Sequence, residues 1–191
     1  MRKTLLHTRI SALFALVLSA QAMAETKNLD VTFTATLRET TCDMKIQGGT
    51  GDGSKNTIPI GTSGKTSLSD IAAGNDAAST TFKLLITECP SSLSGLKTTI
   101  TGTQSTDVLT AIANAATDSP ASNMGVTIAR VSAPATPFTI NATEDAKRLV
   151  WTAGEISGKE VPLIARLVET KTGQATTGSF SAIATFNFVY E

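Results

Sequence analysis

Residues 29–37 read Leu-Asp-Val-Thr-Phe-Thr-Ala-Thr-Leu, an unbroken alternation of apolar and polar side chains. Period two is the repeat of a β-strand with one buried face. Leu29, Val31, Phe33, Ala35 and Leu37 share that face; Asp30, Thr32, Thr34 and Thr36 share the other. Such a strand must half-bury itself against something. The far end of the chain repeats the pattern from Gly178 to Tyr190, where Phe180, Ala182, Ala184, Phe186, Phe188 and Tyr190 fall on one face. Further strands are expected at Thr41–Ile46, Thr80–Cys89, Leu96–Gly102, Gly125–Val131, Arg148–Trp151 and Glu160–Val168. Short ones are expected at Thr57–Ile60, with Pro59 marking an edge, and at Thr136–Thr143. Gly48, Gly49, Gly51 and Gly53 mark a turn, Ser63–Ser79 reads as loop, and Asp107–Thr117 as a short helix or a loop. Many short strands punctuated by turns indicate an all-β sandwich, mostly antiparallel.

The first residues carry an address. Arg2, Lys3 and Arg9 precede the apolar run Ile10–Ala20, and Ala22-Met23-Ala24 supplies an A-x-A cleavage site before Glu25. This is the pattern of a secretory signal peptide, 1–24. The run is about half the roughly 20 residues a bilayer span needs. Removing 24 of the 191 residues leaves 167. The 16 cations fall to 13 against 16 acids, a formal charge of −3. That charge, with no Lys/Arg-rich run, argues against nucleic acid as a partner. The only histidine, His7, leaves with the leader. The mature chain therefore has no His triad, no His base and no His metal ligand. Its two cysteines, Cys42 and Cys89, read as one disulfide in an oxidising compartment rather than as free thiols or a metal site.

The two ends are unusual for a sandwich. The most apolar strand lies just before Glu191, with no later strand to cover it. An extra alternating strand stands ahead of the first cysteine. A bare apolar edge is an aggregation hazard, and a strand added by another chain can cover it.

At this point the residues resemble a known family, the pilin subunits of chaperone–usher fimbriae of Gram-negative bacteria, type 1 pilus-like. Val31–Leu37 followed by Cys42 resembles the family's donor strand and first cysteine. Thr81–Cys89 resembles the strand ending in the second cysteine, and Lys97–Thr103 the strand ending in Gly-Thr. Met124–Ile128 and Val161–Leu167 resemble the mid-domain strand and the strand before the last loop. Gly178, some twelve residues before the penultimate Tyr190, is the most specific match. One position departs: the family has Gly two residues after the donor-strand aromatic, where this chain has Ala35. A methyl group there requires a roomier pocket or a register shifted by two.

The resemblance implies an incomplete immunoglobulin-like sandwich, missing its last strand, with an N-terminal donor-strand extension. It divides the chain into the leader 1–24, the extension 25–37 and a pilin domain 38–191. Leu29, Val31, Phe33, Ala35 and Leu37 would enter a neighbouring subunit. Gly178, Ala182, Ala184, Phe186, Phe188 and Tyr190 would form the C-terminal strand held by a periplasmic chaperone. The implied partners are that chaperone, an outer-membrane usher and neighbouring pilin subunits, and the implied location is the cell surface, reached through the periplasm. The implied function is a structural subunit of a fimbria, polymerising by donor-strand exchange and supporting cell adhesion. The alternative is a minor adaptor or adhesive subunit binding a carbohydrate directly. An enzyme is not expected: Glu155 and Glu160 read as solvated loop charges, and Gly48–Lys55 lacks the G-K-[ST] ending of a phosphate loop. No cofactor or metal is expected.

Overall fold

The computed structural model describes residues 29–38, 42–89 and 93–191. The proposed leader lies outside these residues. Among these residues twelve strands, two short α-helices and one 3-10 turn (Asp76–Ala78) follow one another. The strands are β1 (Leu29–Arg38), β2 (Asp43–Gln47), β3 (Thr50–Gly51), β4 (Lys55–Pro59), β5 (Lys65–Thr66), β6 (Ser79–Glu88), β7 (Leu96–Thr101), β8 (Ala111–Ala113), β9 (Met124–Arg130), β10 (Leu149–Val150), β11 (Glu160–Glu169) and β12 (Ser179–Tyr190). Helix α1 (Leu68–Ala73) precedes β6 and α2 (Ala153–Gly158) precedes β11.

The strands form two sheets. One runs β10-β7-β12-β1-β4-β3, with β5 extending the line of β4 along β1; the other runs β2-β6-β11-β9-β8. The alternation read from the sequence becomes burial. Phe82, Leu84 and Ile86 of β6 face Phe33 of β1 and Phe180, Ala182, Ala184 and Phe186 of β12 across one core. Phe82 sits between the two halves of the opposite sheet, 6.1 Å from the Phe33 ring and 5.9 Å from the Phe186 ring, the latter edge-on. The buried Trp151 follows β10, and its indole Nε1–H donates to Thr98 Oγ1 at 2.9 Å. A buried polar pair is thus satisfied inside the core. Cys42 and Cys89 form a disulfide that ties the start of β2 to the end of its partner β6.

The pairing is antiparallel throughout the named strands with one exception, β1 against β12. Three segments differ from the sequence reading. Ser63–Ser79 is not simply loop: Ser67 caps α1 through its side chain, and Gly74 ends the helix in the left-handed region at φ 65°. Ala111–Ala113 within Asp107–Thr117 is a short edge strand on β9, not a helix. Thr136–Thr143 is not a strand. Its amides bond outward to three different elements, Phe138 N–H to Ile128 O, Ile140 N–H to Leu109 O and Asn141 N–H to Ile100 O. The alternating burial of Phe138, Ile140 and Ala142 is there, but no neighbouring strand makes a ladder with it.

Candidate functional site: the groove filled by the first strand

Without β1 the first sheet would fall into β10-β7-β12 and β4-β3, with β5, whose named ladder is to β1, belonging to neither. β12 forms one wall of the gap between them. It runs twelve residues because its inward positions are all apolar and its outward positions are polar or exposed. β4 forms the other wall with the buried Ile58, followed by the buried Ile60. The floor is Phe82 and its neighbours on β6.

β1 occupies this gap and pairs on both sides. Asp30 to Arg38 lie opposite Ser179 to Asn187 of β12, running in the same direction. Thr32 to Thr36 lie opposite Pro59 to Lys55 of β4. Leu29 and Asp30 lie opposite Thr66 and Lys65 of β5. The register matches sizes. Phe33, fully buried, stands opposite the small Ala182, and Ala35, also fully buried, stands opposite Ala184. Ala35, which departs from the Gly pattern, is thus accommodated between the small Ala184 of β12 and the buried Asn56 of β4. Val31 is buried beside them. Leu37 is placed by backbone register opposite Phe186. The chain thus brings the expected donor-strand residues and Ala182, Ala184 and Phe186 of the C-terminal strand into one site within a single molecule. Phe188 and Tyr190 lie beyond the pairing with β1; their rings stack at 6.5 Å.

Gly178 is placed just before β12, where the backbone presses against the 119–121 segment. A Cβ there would come within 2.5 Å of Ala121 N and Ser119 O. Its residue type is explained by this approach. At the other end, Glu191 N–H donates to Gly95 O, and Ser94 and Gly95 N–H donate to Glu191 O. Lys97 Nζ contacts Glu191 at 2.6 Å and Asp145 at 3.0 Å. These carboxylates, Glu191 first, hold the Lys97 ammonium pKa above its ordinary value. The C-terminal strand is pinned at its end by charge and by backbone pairing.

Among the described residues that line it on β12 and β4, the inward face is apolar apart from the buried Asn56 opposite Ala35; what the groove offers is mostly apolar burial and two hydrogen-bonding edges. The two carboxylates considered as catalytic candidates have other work. Glu155 lies on α2, not in a free loop, and accepts from Arg130 Nε at 2.8 Å and Nη2 at 3.0 Å. Burial works to raise its pKa, but the Arg130 guanidinium and the Thr152 amide overcome this and leave it lowered. Glu160 opens β11 and accepts from Lys83 Nζ at 2.9 Å. Among the described residues, no group of three or more acidic, Cys or His side chains is placed to hold a metal ion. The β4–β5 wall was not foreseen as part of the site. Its signal was the Ile58/Ile60 spacing on either side of Pro59. β3 pairs only with Asn56 and Thr57, leaving Pro59 unpaired on that side, as the edge reading anticipates.

A two-sheet sandwich whose central strand comes from a short N-terminal extension defines an immunoglobulin-like fimbrial subunit. The fimbrial protein family matches residues 31–191, and the chain belongs to it. Over 195 aligned positions it is 31% identical to the uncharacterized fimbrial-like protein YadM of Escherichia coli (strain K12), covering all of both chains. Among solved structures it is similar to the P pilus rod subunit PapA, with a TM-score of 0.49 and 17% identity over 81% of this chain and 96% of that one. Membership makes the protein a structural component of surface fimbriae that associates with other pilin subunits, not an enzyme.

Proposed function

We propose that the chain is a fimbrial building block that polymerises by donor-strand exchange, the β1 segment of one subunit entering the β12–β4 groove of the next. One observation carries this reading. The sheet takes its central strand from residues joined to the rest of the fold by a single short connection, 39–42. A strand tethered at one end can leave and be replaced by an equivalent strand from another chain. Adding strands head-to-tail does not close, so it builds a filament. In this reading residues 1–24 direct export, 25–37 are donor and 38–191 are acceptor. A periplasmic chaperone holds the groove and the Phe186–Tyr190 end until an outer-membrane usher passes the subunit on. Adhesion follows from the filament at the cell surface.

Deleting residues 25–37 tests it. The truncated subunit is expected to be captured by the chaperone at normal levels and to form no fibres. Fibres assembled from truncated subunits alone would overturn the reading.

A further inference from the structure

We propose that the cleft between the end of β9 and the edge strand β10 binds a carboxylate-bearing sugar, a uronic or sialic acid unit of a glycan. The cleft has a volume of about 290 Å³ and is walled by Arg130, by the 133–138 segment, by residues 145–148 and by Val150 of β10. None of these walls belongs to β1, β4 or β12, so the cleft stays open when the groove is filled. The inference concerns a single subunit and stands apart from strand exchange.

The walls offer hydrogen-bond donors. Arg130, Lys147 and Arg148 bring three positive charges to the cleft, and Asp145 is the one acid among the described residues that line it. Asp145 is already committed. Its Oδ1 accepts from Arg148 Nε at 2.9 Å and Nη2 at 2.6 Å, and its Oδ2 meets Lys97 Nζ at 3.0 Å. Arg148 first and Lys97 second hold its carboxyl below the ordinary pKa. Glu155, which is not a lining residue, takes Nε and Nη2 of Arg130, and Nη2 also donates to Val150 O at 2.6 Å. Lys147 has only the exposed Glu144 at 3.4 Å. In each guanidinium this leaves Nη1, which donates to nothing among the described residues. Neither Nη1 is sealed from solvent, since the buried side-chain atom without a partner among those residues is Thr66 Oγ1.

The ligand that fits must therefore bring acceptors. A carboxylate does so in the planar form that guanidinium groups pair best. The rest of the cleft fixes the class of molecule. The Arg130 guanidinium lies over the Phe138 ring, 5.7 Å from its centroid, which steadies the charge. Ala133, Pro137 and Ala146 add apolar wall. A bare anion uses the donors alone, whereas a sugar acid also lays its C–H face on that wall. The volume is at the small end of ligand sites, roughly 300 Å³, room for one sugar unit. One such site binds weakly. A fibre presents a copy on every subunit, and avidity supplies the strength.

Titrating the folded full chain with glucuronic acid, and in parallel with N-acetylneuraminic acid, tests the site by NMR at the arginine Nε–H groups and the Ala146 amide. Saturable shifts at Arg130, Arg148 and Ala146 with either acid are expected, and the methyl ester of glucuronic acid should bind about tenfold more weakly. Arg148→Gln should weaken binding by about the same factor. Ala146→Tyr, at an exposed position, fills the cleft without removing a charge and should abolish binding; it decides the matter alone if Arg148→Gln fails to fold. Shifts that never saturate with either acid, equal binding of the ester or of inorganic phosphate, or undiminished binding by Ala146→Tyr would each overturn the proposal.

Discussion

Gly178 and Asp52 show how single residues set backbone geometry around the two walls of the groove. At Gly178 a Cβ would collide with backbone atoms of Ser119 and Ala121, which no side-chain rotation relieves. Gly178→Ala should therefore cost about 1–3 kcal/mol, the range for forced overpacking, seen as a lower urea midpoint. An unchanged midpoint would show that the 119–121 loop yields freely. Asp52 organises the turn between β3 and β4. Its Oδ1 accepts from the Lys55 amide, the Ser54 hydroxyl and the Ser54 amide, each at 2.8 Å. These bonds, the Lys55 amide foremost, lower its pKa from the ordinary 3.8 to about 2. A carboxyl lowered in the folded state stabilises that state fully above its unfolded pKa and loses the effect as pH falls through the folded one. The turn's contribution should accordingly be intact above about pH 4 and vanish toward pH 2. An NMR titration in which Asp52 shifts near 3.8 instead would contradict these bonds.

Elements follow the sequence where alternation and ladder coincide. β1, β6 and β12 were legible because their apolar positions alternate, through Val31, Phe33 and Ala35 in β1, Phe82, Leu84 and Ile86 in β6 and Phe180 to Phe188 in β12, and these positions face one core. Thr136–Thr143 shows the limit of that signal. Alternation reports a buried face, and here Phe138 and Ile140 are buried by a winding segment whose amides bond to β9, β7 and the Leu109 loop. The two helices were missed because each is only six residues, too short for a helical period. Their caps were nonetheless written in the sequence. Thr152 and Glu155 form a reciprocal capping box, and Ser67 accepts from the Asp70 amide. The parallel direction of β1 against β12 had no signal in its residues at all, since alternation does not name a neighbour. The cysteine pair was read from count and compartment, and it joins β2 to β6 across a sequence separation of 47. By chain entropy such a loop contributes about 4 kcal/mol. Replacing both cysteines by serine should lower the unfolding free energy by about that amount in denaturant titration. A loss well under 1 kcal/mol would mean that the reduced chain keeps this loop closed by other contacts.

At the scale of the whole molecule, the fold depends on a strand drawn from the opposite end of the sequence. β1 and β12 are separated by some 150 residues, yet β1 completes the sheet that β12 begins. So non-local a contact costs loop-closure entropy before it returns any burial, which makes it a late step in folding. Removing it exposes Phe180, Phe186 and Ile58 together, a contiguous apolar strip rather than isolated side chains. A chain beginning at residue 39 should therefore bind a hydrophobic dye and unfold with poor cooperativity. Adding the 27–38 peptide in trans should restore a cooperative transition, because a ligand bound only by the folded form stabilises it by mass action, about 2.7 kcal/mol at a hundred times its Kd. The midpoint should climb with the logarithm of peptide concentration, and a peptide with Phe33→Asp should have no such effect, since its charge would enter an apolar floor with no partner. A truncated chain that unfolds as cooperatively as the full one, with no response to peptide, would show that the remaining strands close the groove among themselves.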